Sequence, residues 1–219
     1  MSINRIGDLW LEVTRRCNMS CSHCCRGEAQ NVDMDCAFLN KLLKQIGSVG
    51  MLGFTGGEPT LVPDKLLEIF QTFKNTSTTV NIIQLITNGK ELTDEFIYAW
   101  SAWLDYCDFP DNAQVFISGD EFHEKVDITY YEDILNCKVT LRGLDQVFAE
   151  GRKANDNSLP RIEVQQIRVE DDCIVDPIYL NYNGDLLPGV DWSYVSQEHR
   201  KICNVSDGGI LTAIKGWNK

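Results

Sequence analysis

Four of the nine cysteines in this chain fall within nine residues, in the run Cys17-Asn18-Met19-Ser20-Cys21-Ser22-His23-Cys24-Cys25. Three thiolates at the spacing of Cys17, Cys21 and Cys24, on one short loop, can hold three corners of an iron–sulfur cube. The fourth iron is then left open to a ligand, much as catalytic zinc sites keep an open position. A structural zinc is the competing chemistry, with His23 or Cys25 as its fourth ligand. Structural zinc usually takes two paired ligand sets, and this run supplies one. Cys25 stands directly beside the trio as a further thiol.

Three further segments bring glycine together with polar side chains: Gly56-Gly57-Glu58-Pro59, Thr87-Asn88-Gly89 and Ser118-Gly119-Asp120. Paired glycines let a backbone approach a neighbour or a ligand closely, because no Cβ intervenes. The stretch Asp120-Glu121-Phe122-His123-Glu124 adds a histidine where a proton-transfer or substrate-binding group would be useful.

The elements that must position these residues alternate between two periodicities. Leu9 to Thr14 is β-like and runs directly into the cysteines. From Asp35 to Ile46, the residues Phe38, Leu39, Leu42, Leu43 and Ile46 recur at helical spacing, and Gly47 follows as a stop. Met51 to Thr55 is a short apolar strand. Asp64 to Phe73 reads as a helix, and Val80 to Thr87 as a β-branched strand closed by Asn88-Gly89. Thr93 can cap a helix with Asp94 and Glu95 in its first turn and Phe96, Ile97 and Trp100 as its apolar stripe. Ala113 to Ser118 is another strand. Tyr130 to Ala149 is ambiguous, with helices expected near Tyr131 to Asn136 and Leu144 to Glu150. Arg161 to Val169 reads as a strand, and Ile178 to Leu187 as a hairpin around Asn183-Gly184.

Alternating β and α units favour an open parallel sheet with crossover helices, a partial (β/α)6-type barrel. Roughly five or six units fit, short of the eight in a closed barrel. Every glycine- and cysteine-rich segment falls at the carboxyl end of an expected strand, where such sheets carry their sites.

Taken together, the segments resemble the motifs of the radical S-adenosylmethionine (radical SAM) superfamily over roughly residues 9 to 190. The cysteine spacing alone is moderately specific; joined to Gly56-Gly57-Glu58 one β/α unit later, it is strong. The resemblance implies that Cys17, Cys21 and Cys24 ligate a [4Fe–4S] cluster whose fourth iron is chelated by the methionine amine and carboxylate of SAM. It implies that Gly56, Gly57 and Glu58 meet the methionine amine, and that Asn88, Ser118 and Asp120 are further cofactor contacts. His23 stands where the family often carries an aromatic residue against the adenine. It further implies reductive cleavage of SAM to a 5′-deoxyadenosyl radical, which abstracts a hydrogen atom from a peptide or small-molecule substrate. The electron comes from a donor such as flavodoxin or ferredoxin. A glycyl-radical-enzyme activating enzyme shares these motifs and is the alternative activity. A non-catalytic zinc or iron–sulfur module is the alternative of another class.

The remaining chemistry-bearing residues have plainer expectations. Cys36 reads as a core thiol, and Cys107, Cys137, Cys173 and Cys203 as dispersed buried thiols rather than an auxiliary cluster. Arg15 and Arg16 are expected to be exposed. Trp192 is expected to pack the last strand, while Asp191 is left open. His123, Gln165, Tyr182 and Asp191 are candidate linings of the substrate space.

Composition sets the outer limits. The 219 residues include 43% hydrophobic and 24% charged side chains, enough to bury a core and too ordered in pattern for a disordered tail. One radical SAM core domain over residues 1–219 is expected, with about 190–219 as a possible cap and no separate substrate-recruiting domain. Against 20 Lys and Arg stand 32 Asp and Glu, a formal charge of −12 that disfavours nucleic acid. No window spans a bilayer and the N-terminus carries no apolar signal, so no membrane partner and a cytoplasmic location are expected. An odd cysteine count without a signal favours metal ligation over disulfides.

Overall fold

The computed structural model describes residues 3–143, 147–164 and 166–218. The first part of the chain alternates strand and helix: β1 (Arg5–Thr14), α1 (Cys36–Leu43), β2 (Ser48–Gly56), α2 (Pro63–Thr76), β3 (Thr79–Thr87), α3 (Asp94–Leu104), β4 (Gln114–Ser118), α4 (Ile128–Leu135) and β5 (Lys138–Arg142). Successive strands pair in parallel, β1 with β2 through to β4 with β5. The later part adds β6 (Val169–Glu170), β7 (Cys173–Ile174), β8 (Ile178–Leu180), β9 (Asp185–Pro188), α5 (Tyr194–Arg200), β10 (Cys203–Asn204) and α6 (Ile210–Trp217).

All of these strands belong to one sheet, in the order β10-β9-β8-β1-β2-β3-β4-β5, with β7 also on β1 and β6 on β7. β8 pairs with β1 in parallel, whereas β9 and β10 return antiparallel. The parallel run is therefore six strands wide, but its sixth member flanks β1 and does not extend the sheet beyond β5. The sheet stays open, as the alternation implied.

Side-chain alternation divides the packing between two faces. Leu9, Leu11 and Val13 of β1 enter the large core that α1 to α4 cover, together with Phe54, Phe73, Trp100 and Trp103. Trp10 points the other way, into a smaller cluster with Tyr179, Leu187 and Trp192. With both faces covered, the last six residues of β1 are all buried, as expected of a central parallel strand. The helices start where the chain supplies caps: Asp35, Thr93 and Asp127 each accept a hydrogen bond from a backbone N–H of the first turn. Among the described residues, no helix is long and apolar enough to cross a membrane.

Three sequence expectations change. The strand expected over Arg161 to Val169 is mostly irregular, and only Val169–Glu170 make a ladder. The edge of β1 that it could have joined is occupied by β7 and β8. The helix expected from Leu144 to Glu150 is absent from its described part, 147–150; residues 144–146 lie outside the described residues. Arg15 is buried, not exposed (5% accessible). It is neutralised by Glu12, with Arg15 Nε 2.7 Å from Glu12 Oε1, and its guanidinium lies 4.3 Å from the Tyr182 ring centroid and 4.1 Å from that of Tyr194. Arg16 remains half-exposed and pairs with Asp33 at 2.7 Å.

Candidate functional site

The carboxyl ends of β1 to β4 open onto one cavity of about 430 Å³. The loop after β1 contributes Cys17, Cys21, His23 and Cys24, and the end of β2 contributes Gly56, Gly57 and Glu58. Asn88 follows β3, and Ser118 and Asp120 close β4. All ten residues singled out in the sequence thus line the same space. His123 and Asp191 line it too. Tyr182 does not, being stacked on Arg15, and Gln165 lies outside the described residues.

The cysteine loop hangs from a paired stem. Arg15 and Val32, and Gln30 and Arg15, share backbone hydrogen bonds of 2.9 Å, and Thr14 Oγ donates to Asp33 at 2.6 Å. The stem leaves Cys17, Cys21, Cys24 and Cys25 as free, half-buried thiols. Burial is the main cause pushing the Cys17 and Cys21 thiols up, and each is raised further by neighbouring cysteines of the trio. At Cys25 burial also raises the thiol, and the Arg26 guanidinium opposes it. Binding a metal must therefore displace protons from these thiols, as thiolate ligation requires.

Gly56 and Gly57 do more than face the cavity. A Cβ on Gly57 would sit 2.1 Å from the carbonyl oxygen of Arg16, and Gly56 has φ +139° with Thr14 O equally close. Gly57 N donates to Thr14 O and Glu58 N to Arg16 O, both at 2.7 Å. The glycines thus press the end of β2 against the entrance of the cysteine loop. Glu58 is fully buried and its carboxylate is already in use. Oε1 accepts from Thr60 N, Thr60 Oγ and Thr87 Oγ at 2.8–3.1 Å, and Oε2 accepts from Asn88 N at 2.6 Å. Burial pushes its carboxyl up, and those hydrogen bonds pull it back. The side chain locks the β2 and β3 loops together, and among the described residues Oε2 accepts from Asn88 N alone, which leaves it a spare lone pair. Asn88 Nδ2 in turn donates to Asn18 Oδ1 at 2.8 Å, tying the β3 loop to the cysteine loop.

Asp120 joins two histidines. His123 Nδ1–H donates to Asp120 Oδ1 at 2.7 Å, which turns His123 Nε2 toward Cys21 Sγ at 3.9 Å. His23 Nε2 lies 3.4 Å from Asp120 Oδ2, and its ring packs on Phe122 with centroids 4.4 Å apart. Burial works to raise the Asp120 carboxyl, but the His123 and Phe122 hydrogen bonds outweigh it and hold the group below its ordinary range. Burial lowers the His23 imidazole, against the opposing charge of Asp120. Among the described residues, the buried His23 Nδ1 has no hydrogen-bond partner.

Several lining residues carried no recognisable signal. Arg142 ends β5, a strand concealed in the ambiguous stretch, and Gly143 follows it. Val147 and Phe148 belong to no motif, and Arg26 lies just beyond the cysteines. The lining fits the inferred cofactors. Three soft thiolate donors suit iron–sulfur ligation, and the orphaned His23 nitrogen, the spare Oε2 lone pair and the polar ends of β3 and β4 suit a nucleoside with an amino-acid tail.

Comparison with known proteins gives the class. Residues 11–127 match the family model of the Radical SAM superfamily. The match covers more than half of the chain, which therefore belongs to that superfamily, and the protein is a radical SAM enzyme. No curated protein matches it. Among solved structures, native anSMEcpe with bound AdoMet and Cp18Cys peptide aligns with TM-score 0.60 at 11% identity, covering 96% of this chain and 80% of that chain. Streptococcus suis SuiB bound to precursor peptide SuiA aligns with TM-score 0.47 at 11% identity, covering 100% of this chain and 65% of that one. At these identities the first likeness speaks for the fold, an open and mostly parallel sheet.

Proposed function

We propose that Cys17, Cys21 and Cys24 hold a [4Fe–4S] cluster, and that the enzyme uses SAM there to abstract a hydrogen atom from a peptide or small-molecule substrate. The observation that carries this reading is the meeting of the three thiols with Gly56, Gly57, Glu58, Asn88, Ser118, Asp120 and His23 around one cavity. When bound, the pair of cofactors supplies a 5′-deoxyadenosyl radical by one-electron cleavage of the sulfonium. The protein's own part is placement and exclusion. Gly56-Gly57 and the Glu58 hydrogen bonds fix the floor beside the cysteine loop. Ser118 and Asp120 present hydroxyl and carboxylate groups suited to a ribose. Met19, Ile86, Val147, Phe148 and Val190 supply an apolar wall that keeps water from a reactive intermediate.

One core domain spans residues 1–219 in this reading, and the segment from about 190 onward closes the site through Val190 and Asp191. A flavodoxin- or ferredoxin-type donor supplies the electron. The peptide bound in anSMEcpe supports a peptide as one of the two substrate classes.

The test is anaerobic reconstitution followed by iron, sulfide and zinc analysis, then incubation with dithionite and SAM. Iron and sulfide in cluster proportion, with 5′-deoxyadenosine released, are expected. Cys17→Ala, Cys21→Ala and Cys24→Ala should each lose the cluster. Zinc in place of iron, or intact SAM beside a verified cluster, would refute the proposal.

A further inference from the structure

We propose that Gly151 and Arg152 are positioning residues that staple the cysteine loop from the chain after β5; this rests on the reading of that loop as the cluster site. They belong to a short turn, Gly151–Lys153, in the chain between β5 and β6. Arg152 donates from its backbone N to Cys24 O at 3.1 Å and from Nη1 to Cys21 O at 2.7 Å. Its Nε and Nη2 fork onto the Glu28 carboxylate at 2.8 and 3.0 Å, fixing the guanidinium from the other end of the same loop. One planar cation thus spans the loop from the second cysteine to Glu28, which a single point charge has no geometry to do.

Gly151 makes the contact possible. It sits at φ +54°, and a Cβ there would lie 2.2 Å from Cys24 O and 2.5 Å from Cys25 O, both rigid backbone atoms. The neighbouring residue anchors the turn in its own direction: Glu150 Oε2 accepts from Ser196 Oγ at 2.8 Å, at the start of α5. Val147 and Phe148, just upstream, line the cavity. One piece of chain therefore walls the cavity and holds the carbonyls of two of the three proposed ligands. The Asn88–Asn18 bond holds the Cys17 end of the loop, and the staple holds the backbone at Cys21 and Cys24. Groups that orient metal ligands in this way typically contribute about ten- to a hundredfold in metal retention.

The experiment follows loss of cluster absorbance from the anaerobically reconstituted protein under a ferrous chelator. Arg152→Ala and Gly151→Ala are expected to release iron roughly tenfold faster or more than wild type, with far-UV circular dichroism unchanged. Arg152→Lys keeps the charge but not the fork and should behave like Arg152→Ala. Glu28→Ala removes an exposed carboxylate without touching the core, so it should accelerate release to an intermediate degree even if the other variants misfold. Release at the wild-type rate from folded Arg152→Ala, or full rescue by lysine, would overturn the staple. If the wild-type protein itself takes up no iron and sulfide, the cluster reading fails, and the staple, which rests on it, falls with it.

Discussion

At the scale of single residues, the two glycines before Glu58 show how one position serves both fold and site. The sequence suggests that they admit a ligand, and they do line the cavity. Their more immediate constraint is the neighbouring backbone, since Gly57 lies against Arg16 O with no room for a methyl group. Gly57→Ala should therefore destabilise the protein by about 2–3 kcal/mol and shift the cysteine loop, because a carbonyl cannot swing away as a flexible side chain would. Gly216 offers the opposite case: it lies in α6, and a Cβ there meets nothing within 4 Å. Gly216→Ala should raise stability by about 0.5 kcal/mol through the lower entropy of the unfolded chain. Urea titrations of both variants check the two signs together. A neutral Gly57→Ala would mean that β2 and the loop are not in the contact described.

At the scale of elements, legibility followed how much of each element's signal lay in its own residues. α3 announces itself through Thr93, its acidic first turn and its apolar stripe, and the structure starts it after Thr93, whose Oγ accepts from Phe96 N at 3.2 Å. Thr93→Ala should cost about 1 kcal/mol. Trp103→Ala should cost about 3–5 kcal/mol, because that indole packs on Phe54, Phe70 and Phe73 with centroids 5.0–5.5 Å away. Thermal melts of the two variants should rank them in that order. β5 was hidden because its five residues, Lys-Val-Thr-Leu-Arg, lie at the sheet margin with only Val139 buried, so partner and burial gave no strong pattern. The stretch from Arg161 misled for the reverse reason. Its spaced aliphatics do turn inward at Ile167, but strand formation needs a free edge, and that is a property of other elements.

The clamp that ends this stretch gives a pH-dependent prediction. The Arg168 guanidinium hydrogen-bonds Asp176 at 2.6–3.1 Å, and those bonds hold the Asp176 carboxyl below its ordinary value. A depressed folded-state pKa contributes stability that is present above the unfolded value, near 3.8, and is lost as pH falls through the folded value. The melting temperature of Asp176→Asn should therefore lie below that of wild type at neutral pH, and the gap should close in acid. A gap that persists unchanged at the lowest pH would show that the carboxylate charge is not what fastens this segment.

At the scale of the whole molecule, the site was legible because its residues sit at strand ends, while the way the late chain joins the early chain was not. That junction is a buried polar network, and buried polar contacts between distant segments leave no periodicity in sequence. Glu12 is fully buried on β1, and its Oε1 accepts from Arg15 Nε at 2.7 Å and Tyr182 N at 3.3 Å. Its Oε2 accepts from Tyr179 OH at 3.0 Å and Gln197 Nε2 at 2.8 Å. Gln197 also accepts from Arg15 Nη2 at 2.7 Å, so β1, β8, α5 and the root of the cysteine loop meet on one carboxylate. Glu12→Gln keeps the shape but turns an amide N–H₂ toward two donors and leaves the Arg15 charge uncompensated. Breaking a buried ion pair from one side costs about 3–5 kcal/mol, whereas Gln197→Ala, which removes a neutral side chain hydrogen-bonded to both charges, should cost about 1.5–3 kcal/mol. If residues 1–219 fold as one unit around this junction, both variants should lower the midpoint of a single cooperative transition, Glu12→Gln the more. A second, earlier transition confined to the C-terminal strands and α5 would mean that the late segment docks onto the sheet without sharing its stability.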